Sequence, residues 1–157
     1  MRRTDREITG REEILAVLRQ CDCCRLGLCD GERPYVVPVN FGAAEEDGRV
    51  VIYIHGASAG KKLELLRQNP NVCIEADRGH RLLPAETACA FSMEYESVIG
   101  FGKAELLTGE AAVEGLDAIM KQYAPEASGW TYDPAVLSSI TVIRIPLDEM
   151  TGKRLKR

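Results

Sequence analysis

The sequence predicts a mainly β fold: a small antiparallel β-barrel with helices packed outside it. Three observations carry this. Short β-rich segments recur along the chain with tight-turn residues between them. Only two or three segments show helical spacing, too few to alternate with strands as a doubly wound α/β sheet requires. The 157 residues, 45% of them hydrophobic, suit one domain with a genuine core, and no repeat or linker divides residues 1–157.

Taken in order, Thr9-Gly10-Arg11-Glu12 places a hydroxyl and a carboxylate three apart, the pattern of a capping box. Ile14, Leu15 and Leu18 follow on one face, which predicts a helix over residues 10–20. Residues 24–29 alternate as a strand, with Arg25 between apolar neighbours, and Asp30-Gly31 signals a tight turn. Residues 35–41, "YVVPVNF", are β-rich. Pro38 cannot donate a ladder hydrogen bond, which puts this strand at an edge or a bulge. Asp47-Gly48 turns the chain again, and residues 49–55 form a third strand. Three strands joined by short turns predict an antiparallel meander.

Residues 61–68 read as a helix stopped by Asn69-Pro70. Residues 72–76 read as a strand, and the polar residues 78–86, with Pro84, as a loop. Residues 87–107 are too long for one ordinary strand. Gly100 and Gly102 mark bends, which gives two strands or one strongly coiled one. A helix over residues 109–123 carries the stripe Val113, Leu116, Ile119, Met120 and Tyr123. "APEASGWTYDP" reads as a loop bearing Trp130, and an alternating strand at residues 140–146 closes the domain. The strand total is six or seven.

A net charge of −4 implies no general affinity for polyanions. The basic clusters at residues 1–3 and 153–157 read as solvated tails, not as a nucleic-acid surface. No apolar run approaches the ~18 residues of a membrane span. The opening "MRRTDRE" leads into no apolar stretch, so the expectation is a cytoplasmic protein without a signal peptide. Its six cysteines are then expected to be reduced. Cys21, Cys23, Cys24 and Cys29 lack paired C-x-x-C spacing, and only two histidines exist, so no metal site is predicted. Cys73 and Cys89 sit in apolar strand patterns, where cysteine acts as a small hydrophobe.

The chemistry concentrates in "VIYIHGASAGKKLELLRQNP", residues 51–70. A helix start exposes unpaired amides and the positive end of the helix dipole. The small residues 56–60 let a ligand approach that backbone. Lys61 and Lys62 add positive charge, and Ser58 adds a hydroxyl, which together make an anion site with phosphate as the natural occupant. A solvated surface turn is the alternative reading. The pattern is not a Walker P-loop, because Gly56 and Gly60 enclose three residues and Lys62 takes the hydroxyl position. His55 ends the preceding strand. Alone it reads as a structural histidine; beside a phosphate site it is suited to proton transfer. His80 lies in polar sequence and draws no role.

The order "PYVVPVNFG", "VIYIHGASAGKKLELLRQNPNVCIEAD", "YESVIGFGKAEL" resembles the FMN-binding split-barrel flavoproteins, relatives of pyridoxamine 5′-phosphate oxidase. The "MRRTDREI" opening, the strand-end histidine before "GKK" and the late "TGK" resemble the nitroimidazole-resistance (Nim-type) branch. The resemblance covers nearly the whole chain and implies a split β-barrel, acting as a homodimer with FMN at the subunit interface. It implies that Val37, Pro38, Val39 and Asn40 line the flavin through backbone groups, and that Tyr53, Ile54 and His55 run beside the rings. Ser58, Lys61 and Lys62 would hold the phosphate, and Ser97 and Val98 would contact the rings or the ribityl chain. Trp130 and Tyr132 would reach the site of the other subunit. The pyridoxamine phosphate oxidases usually carry Arg-Lys where this chain has Lys61-Lys62. Their C-terminal Trp and Arg motifs have no counterpart in "TGKRLKR", which argues against that substrate.

The resulting expectation is an FMN-dependent oxidoreductase. It would take a hydride from a reduced donor such as NAD(P)H and reduce a small organic acceptor, a 5-nitroimidazole among the candidates, with His55 supplying a proton. The alternatives are a non-catalytic FMN-binding or sensing module, a pyridoxamine-phosphate-oxidase-like enzyme, or a split barrel using haem on His55 or a deazaflavin.

Overall fold

A computed structural model describes residues 3–156. Met1, Arg2 and Arg157, which belong to the sequence-predicted basic tails, lie outside the described residues. The chain runs through β1 (Glu7–Ile8), α1 (Arg11–Leu18), β2 (Cys24–Asp30), β3 (Arg33–Val39), β4 (Gly42–Glu46) and β5 (Arg49–Ala57). It continues through α2 (Lys61–Gln68), β6 (Asn71–Leu83), β7 (Ser92–Lys103), β8 (Glu105–Leu107), α3 (Val113–Tyr123), α4 (Pro134–Ser139) and β9 (Ile140–Leu155).

The strand order is β3-β2-β6-β7-β9-β5-β4, with β1 and β8 also paired to β9. The strand pairs are antiparallel. This is the mainly β, antiparallel architecture that the sequence predicts, with helices outside the sheet and the barrel left open. It has nine strands instead of six or seven, because β1, β4 and β8 are too short to carry a readable alternation.

β9 joins the two halves. Its first part pairs with β5 and β8, and its second with β7 and β1. The ladder with β7 shifts register between Phe101 and Gly102. A side chain at Gly102 would meet the Pro146 carbonyl at 2.2 Å, so only glycine lets the strands cross this closely. The sequence-predicted strand ended at Pro146; the real one continues to Leu155.

Alternation fills the space between the halves. Leu26, Ile52, Ile54, Ile74, Val98, Ile143 and Ile145 point inward and share one core with α1 and with Leu63, Leu65 and Leu66 of α2. The opposite faces of β5 and β9 give Val51, Tyr53 and Val142, which pack on Leu116 and Ile119 of α3.

Several expectations are corrected. No capping box forms: Gly10 is the N-cap of α1 and no side chain caps it, so Thr9 stands one residue too early. The three-strand meander does not exist. β2 and β3 make one hairpin and β4 and β5 another, at opposite ends of the sheet. Buried Phe41 carries the chain across between them, its amide donating to the Tyr123 hydroxyl. Residues 78–83 are strand, not loop; a register shift between Arg78 and Arg81 absorbs Gly79 and His80. The "APEASGWTYDP" segment runs into α4, started by Pro134 after Asp133, whose carboxylate accepts from the Ala135 amide. Cys89 is exposed in a 3-10 turn instead of packed in a strand.

Lys153 and Arg154 are not a solvated tail. They lie in β9, where Arg154 bridges Glu13 and Glu96 and the Lys153 ammonium sits 5.7 Å from the Tyr95 ring centroid. No helix among the described residues is long and apolar enough to cross a membrane.

Candidate functional site

β5 delivers His55, Gly56 and Ala57 to one end of the barrel, and the chain turns through Ser58, Ala59 and Gly60 into α2. Gly60 is the N-cap at φ 124°, a left-handed conformation that favours glycine. The Leu63 and Glu64 amides both donate back to the Gly60 carbonyl. The amides of Lys61 and Lys62 have no acceptor within the helix, and no side chain caps this end. An anion placed here meets open N–H groups at the positive end of the helix dipole.

The two lysines diverge. Lys61 turns toward the β2–β3 hairpin, where its ammonium lies 2.6 Å from the Asp30 carboxylate and 4.9 Å from the Tyr35 ring centroid. The Asp30 hydrogen bond raises its pKa. Lys62 turns the other way, toward β5. A Cβ on Gly56 would stand 3.3 Å from its Nζ, so the glycine makes room for the ammonium. Lys62 is half-buried, and desolvation lowers its pKa. It has no carboxylate partner among the described residues. A desolvated, unpaired ammonium beside open helix amides has the chemistry to receive an oxyanion.

The other sequence-predicted residues distribute as follows. His55 is exposed at the end of β5, its backbone paired with Val142. Val37, Pro38 and Val39 lie on β3, which is an edge strand, and Asn40 follows it. The β2–β3 register runs without a shift through Pro38, so the proline marks an edge and not a bulge. The free side of β3 leaves alternate backbone groups available to a ligand.

Ile54 and Val98 are fully buried in the core, which leaves only their backbone to face a ligand. Tyr53 is 1% exposed and packs against α3, and its hydroxyl donates to Glu46 at the end of β4. Arg144 binds Glu46 as well, and also Glu105. Burial and the Glu46 carboxylate push the Tyr53 phenol well above its ordinary pKa. Ser97 lies on the outer face of β7, three strand spacings from β3, or roughly 14 Å along the sheet. Within one chain it does not join Lys62 and β3. Tyr132 donates to Asp117 of its own α3 at 2.7 Å, and Trp130 lies half-buried in the loop before α4.

Asp30 and Tyr35 were not foreseen. Asp30 was legible only as a turn residue, and its contact with Lys61 depends on α2 packing beside β2. A cleft of about 640 Å³ between β4, β5 and α3, lined by Glu46, Tyr53, Asp117 and Gln122, includes no other sequence-predicted site residue than Tyr53. A shallower one of about 440 Å³ lies on the outer face of β2, β3, β6 and β7, against Val36, Cys73 and Phe101.

Comparison with known proteins agrees with the fold. A candidate 5-nitroimidazole antibiotic resistance protein from Bacteroides thetaiotaomicron is 36% identical. Its structure superposes with a TM-score of 0.80 over 94% of this chain and 85% of that one. The flavocytochrome Anf3 of Azotobacter vinelandii (TM-score 0.80, 22% identity, 100% and 72% covered) shares the fold. So does an FAD- and haem-binding protein of Mycobacterium smegmatis (TM-score 0.82, 20% identity, 97% and 74% covered). An uncharacterized Rhizobium meliloti protein, RA0666, is 29% identical over 68 residues, a match spanning 43% of this chain and 42% of that protein. The model of the pyridoxamine 5′-phosphate oxidase family matches residues 10–154, from the cap of α1 to the end of β9, and the chain belongs to that family.

Proposed function

We propose that this protein is an FMN-dependent oxidoreductase that reduces a small organic acceptor with electrons from a donor such as NAD(P)H. Lys62 carries the reading: a half-buried ammonium without a counter-ion at the open start of α2. That feature fits a phosphorylated cofactor. The phosphate would lie on the Lys61 and Lys62 amides and the Lys62 ammonium, with Ser58 beside it and the Lys61 ammonium joining once drawn from Asp30. The free edge of β3, at Val37, Pro38 and Val39, would face the ring system through backbone groups. Bound there, FMN would supply the hydride chemistry of the reaction.

The protein's own part is to bind, orient and supply protons. His55, exposed near the end of β5, would give a proton to the acceptor as negative charge grows on it. The 36% identical candidate resistance protein makes a 5-nitroimidazole the first acceptor to try. Ser97 faces outward on the same side of the sheet as Ile99 and Phe101, which are 41% and 50% exposed, near Val36 at 60%. This apolar face supports a homodimer in which a second copy covers the outer sheet and brings its Ser97 to the flavin.

The test is direct. Purified protein should take up FMN more tightly than riboflavin, which has no phosphate. His55→Ala should keep FMN bound while acceptor reduction slows by about tenfold to a hundredfold. Equal turnover in the variant across several acceptors removes His55 from the reaction. Bound flavin with no turnover for any donor and acceptor marks a sensing or carrier module instead.

A further inference from the structure

The Lys61–Asp30 pair carries a consequence for how tightly the phosphate is held. Asp30 ends β2 paired with Arg33 across a turn with Gly31 at φ 61°, so its carboxylate sits on a hydrogen-bonded hairpin. Lys61 is its ion-pair partner at 2.6 Å, and Tyr35 supports the same ammonium from below. Both side chains are half-exposed, at 52% and 38%. A pair of that kind is weak and is given up at little cost. Lys62, one residue on, has no such partner. The entrance to α2 therefore holds one lysine kept ready and one lysine already engaged by an internal anion.

We propose that Asp30 is a built-in competitor for the cofactor phosphate, occupying Lys61 and thereby setting the affinity and exchange rate of FMN. This rests on the reading of the α2 entrance as the FMN phosphate site. A phosphate that recruits Lys61 must draw it from Asp30 or share it. Removing the carboxylate while keeping the side-chain shape frees the lysine.

Titration of apo-protein with FMN and with riboflavin, followed by flavin fluorescence, tests this. Asp30→Asn should tighten FMN binding about threefold to tenfold at low salt, shrinking as salt rises, and leave riboflavin within about twofold. In a Lys61→Met background the same substitution should change FMN affinity by less than about twofold, because the two residues act through one contact. Unchanged or weaker FMN binding in Asp30→Asn overturns the proposal, and so does a full gain that persists without Lys61. Should Asp30→Asn fold poorly by circular dichroism, Asp30→Ser gives the same comparison. A wild-type protein that binds FMN no tighter than riboflavin overturns the phosphate-site reading itself, and the proposal with it.

Discussion

Two places in this molecule gather positive charge around different needs. At the start of β7, Glu96 is 3% exposed and takes Arg154 at 2.5 Å, Arg78 at 2.6 Å and Lys156 at 3.3 Å. Burial alone would raise its pKa, but the hydrogen bonds from Arg154 and Lys156 outweigh that and hold it below the usual carboxylate range. Here the cations close on an anion the chain supplies. At the start of α2 the chain supplies an anion to Lys61 and none to Lys62. The first arrangement fixes the end of β9 against β6, β7 and α1. The second leaves a desolvated charge with no carboxylate partner among the described residues. Cation number does not separate a structural cluster from a binding site; an unmet counter-charge does.

Breaking the closed cluster should have the largest effect on the fold. Glu96→Ala takes the shared carboxylate from Arg78 and Lys156 and leaves Arg154 with Glu13 alone; it is expected to cost about 2–3 kcal/mol of stability, seen as a lower denaturant midpoint. The preference for FMN over riboflavin should survive in the refolded fraction. A midpoint unchanged within error would show that the cluster contributes only surface pairing.

Breaking the open site should do the reverse. Lys62→Met removes a desolvated charge, so the apo-protein should be as stable as the parent or slightly more so. FMN affinity should fall about tenfold to thirtyfold with riboflavin affinity unchanged, the loss of one charge-assisted contact. A fall in stability with no change in FMN affinity would make Lys62 structural and erase the contrast.

The pH dependences sharpen the comparison with smaller effects. The folded pKa of Glu96 is depressed, so its stabilisation is present above the ordinary carboxylate range. It is lost as pH falls through the folded value. Glu96→Gln should flatten the acid limb of an unfolding curve. The pKa of Lys62 is lowered by burial, so its ammonium loses its proton at a lower pH than an ordinary lysine. FMN affinity should therefore weaken on the alkaline side by a few-fold, and Lys62→Met should abolish that slope. An identical alkaline slope in the variant assigns it to another group.

Much of the fold was legible because local patterns and tertiary packing agree. α2 keeps its boundaries: apolar Leu63, Leu65 and Leu66 need one face, and Asn69-Pro70 cannot continue the helix. Asp47 and Gly48 make the predicted turn at φ 47° and 75°. Pro38 could sit only at an edge or a bulge, and β3 is an edge strand. Asp133-Pro134 carried a helix-start signal that the surrounding polar residues obscured. The rest depends on contacts remote in the chain. Nothing in Cys24 to Ala57 states that its two hairpins lie at opposite ends of a sheet, because strand order follows from how hydrophobic faces are shared.

The sequence by itself determined where an anion could be welcomed, since a helix start, small residues and adjacent lysines are neighbours along the backbone and act over a few ångströms. Only the tertiary structure decided which lysine is free. Burial strips water from Lys62 while folding brings Asp30 to Lys61, and both effects arise from segments that meet only when the barrel forms. Local backbone geometry is fixed by adjacent residues, whereas desolvation and charge pairing are properties of the assembled interior.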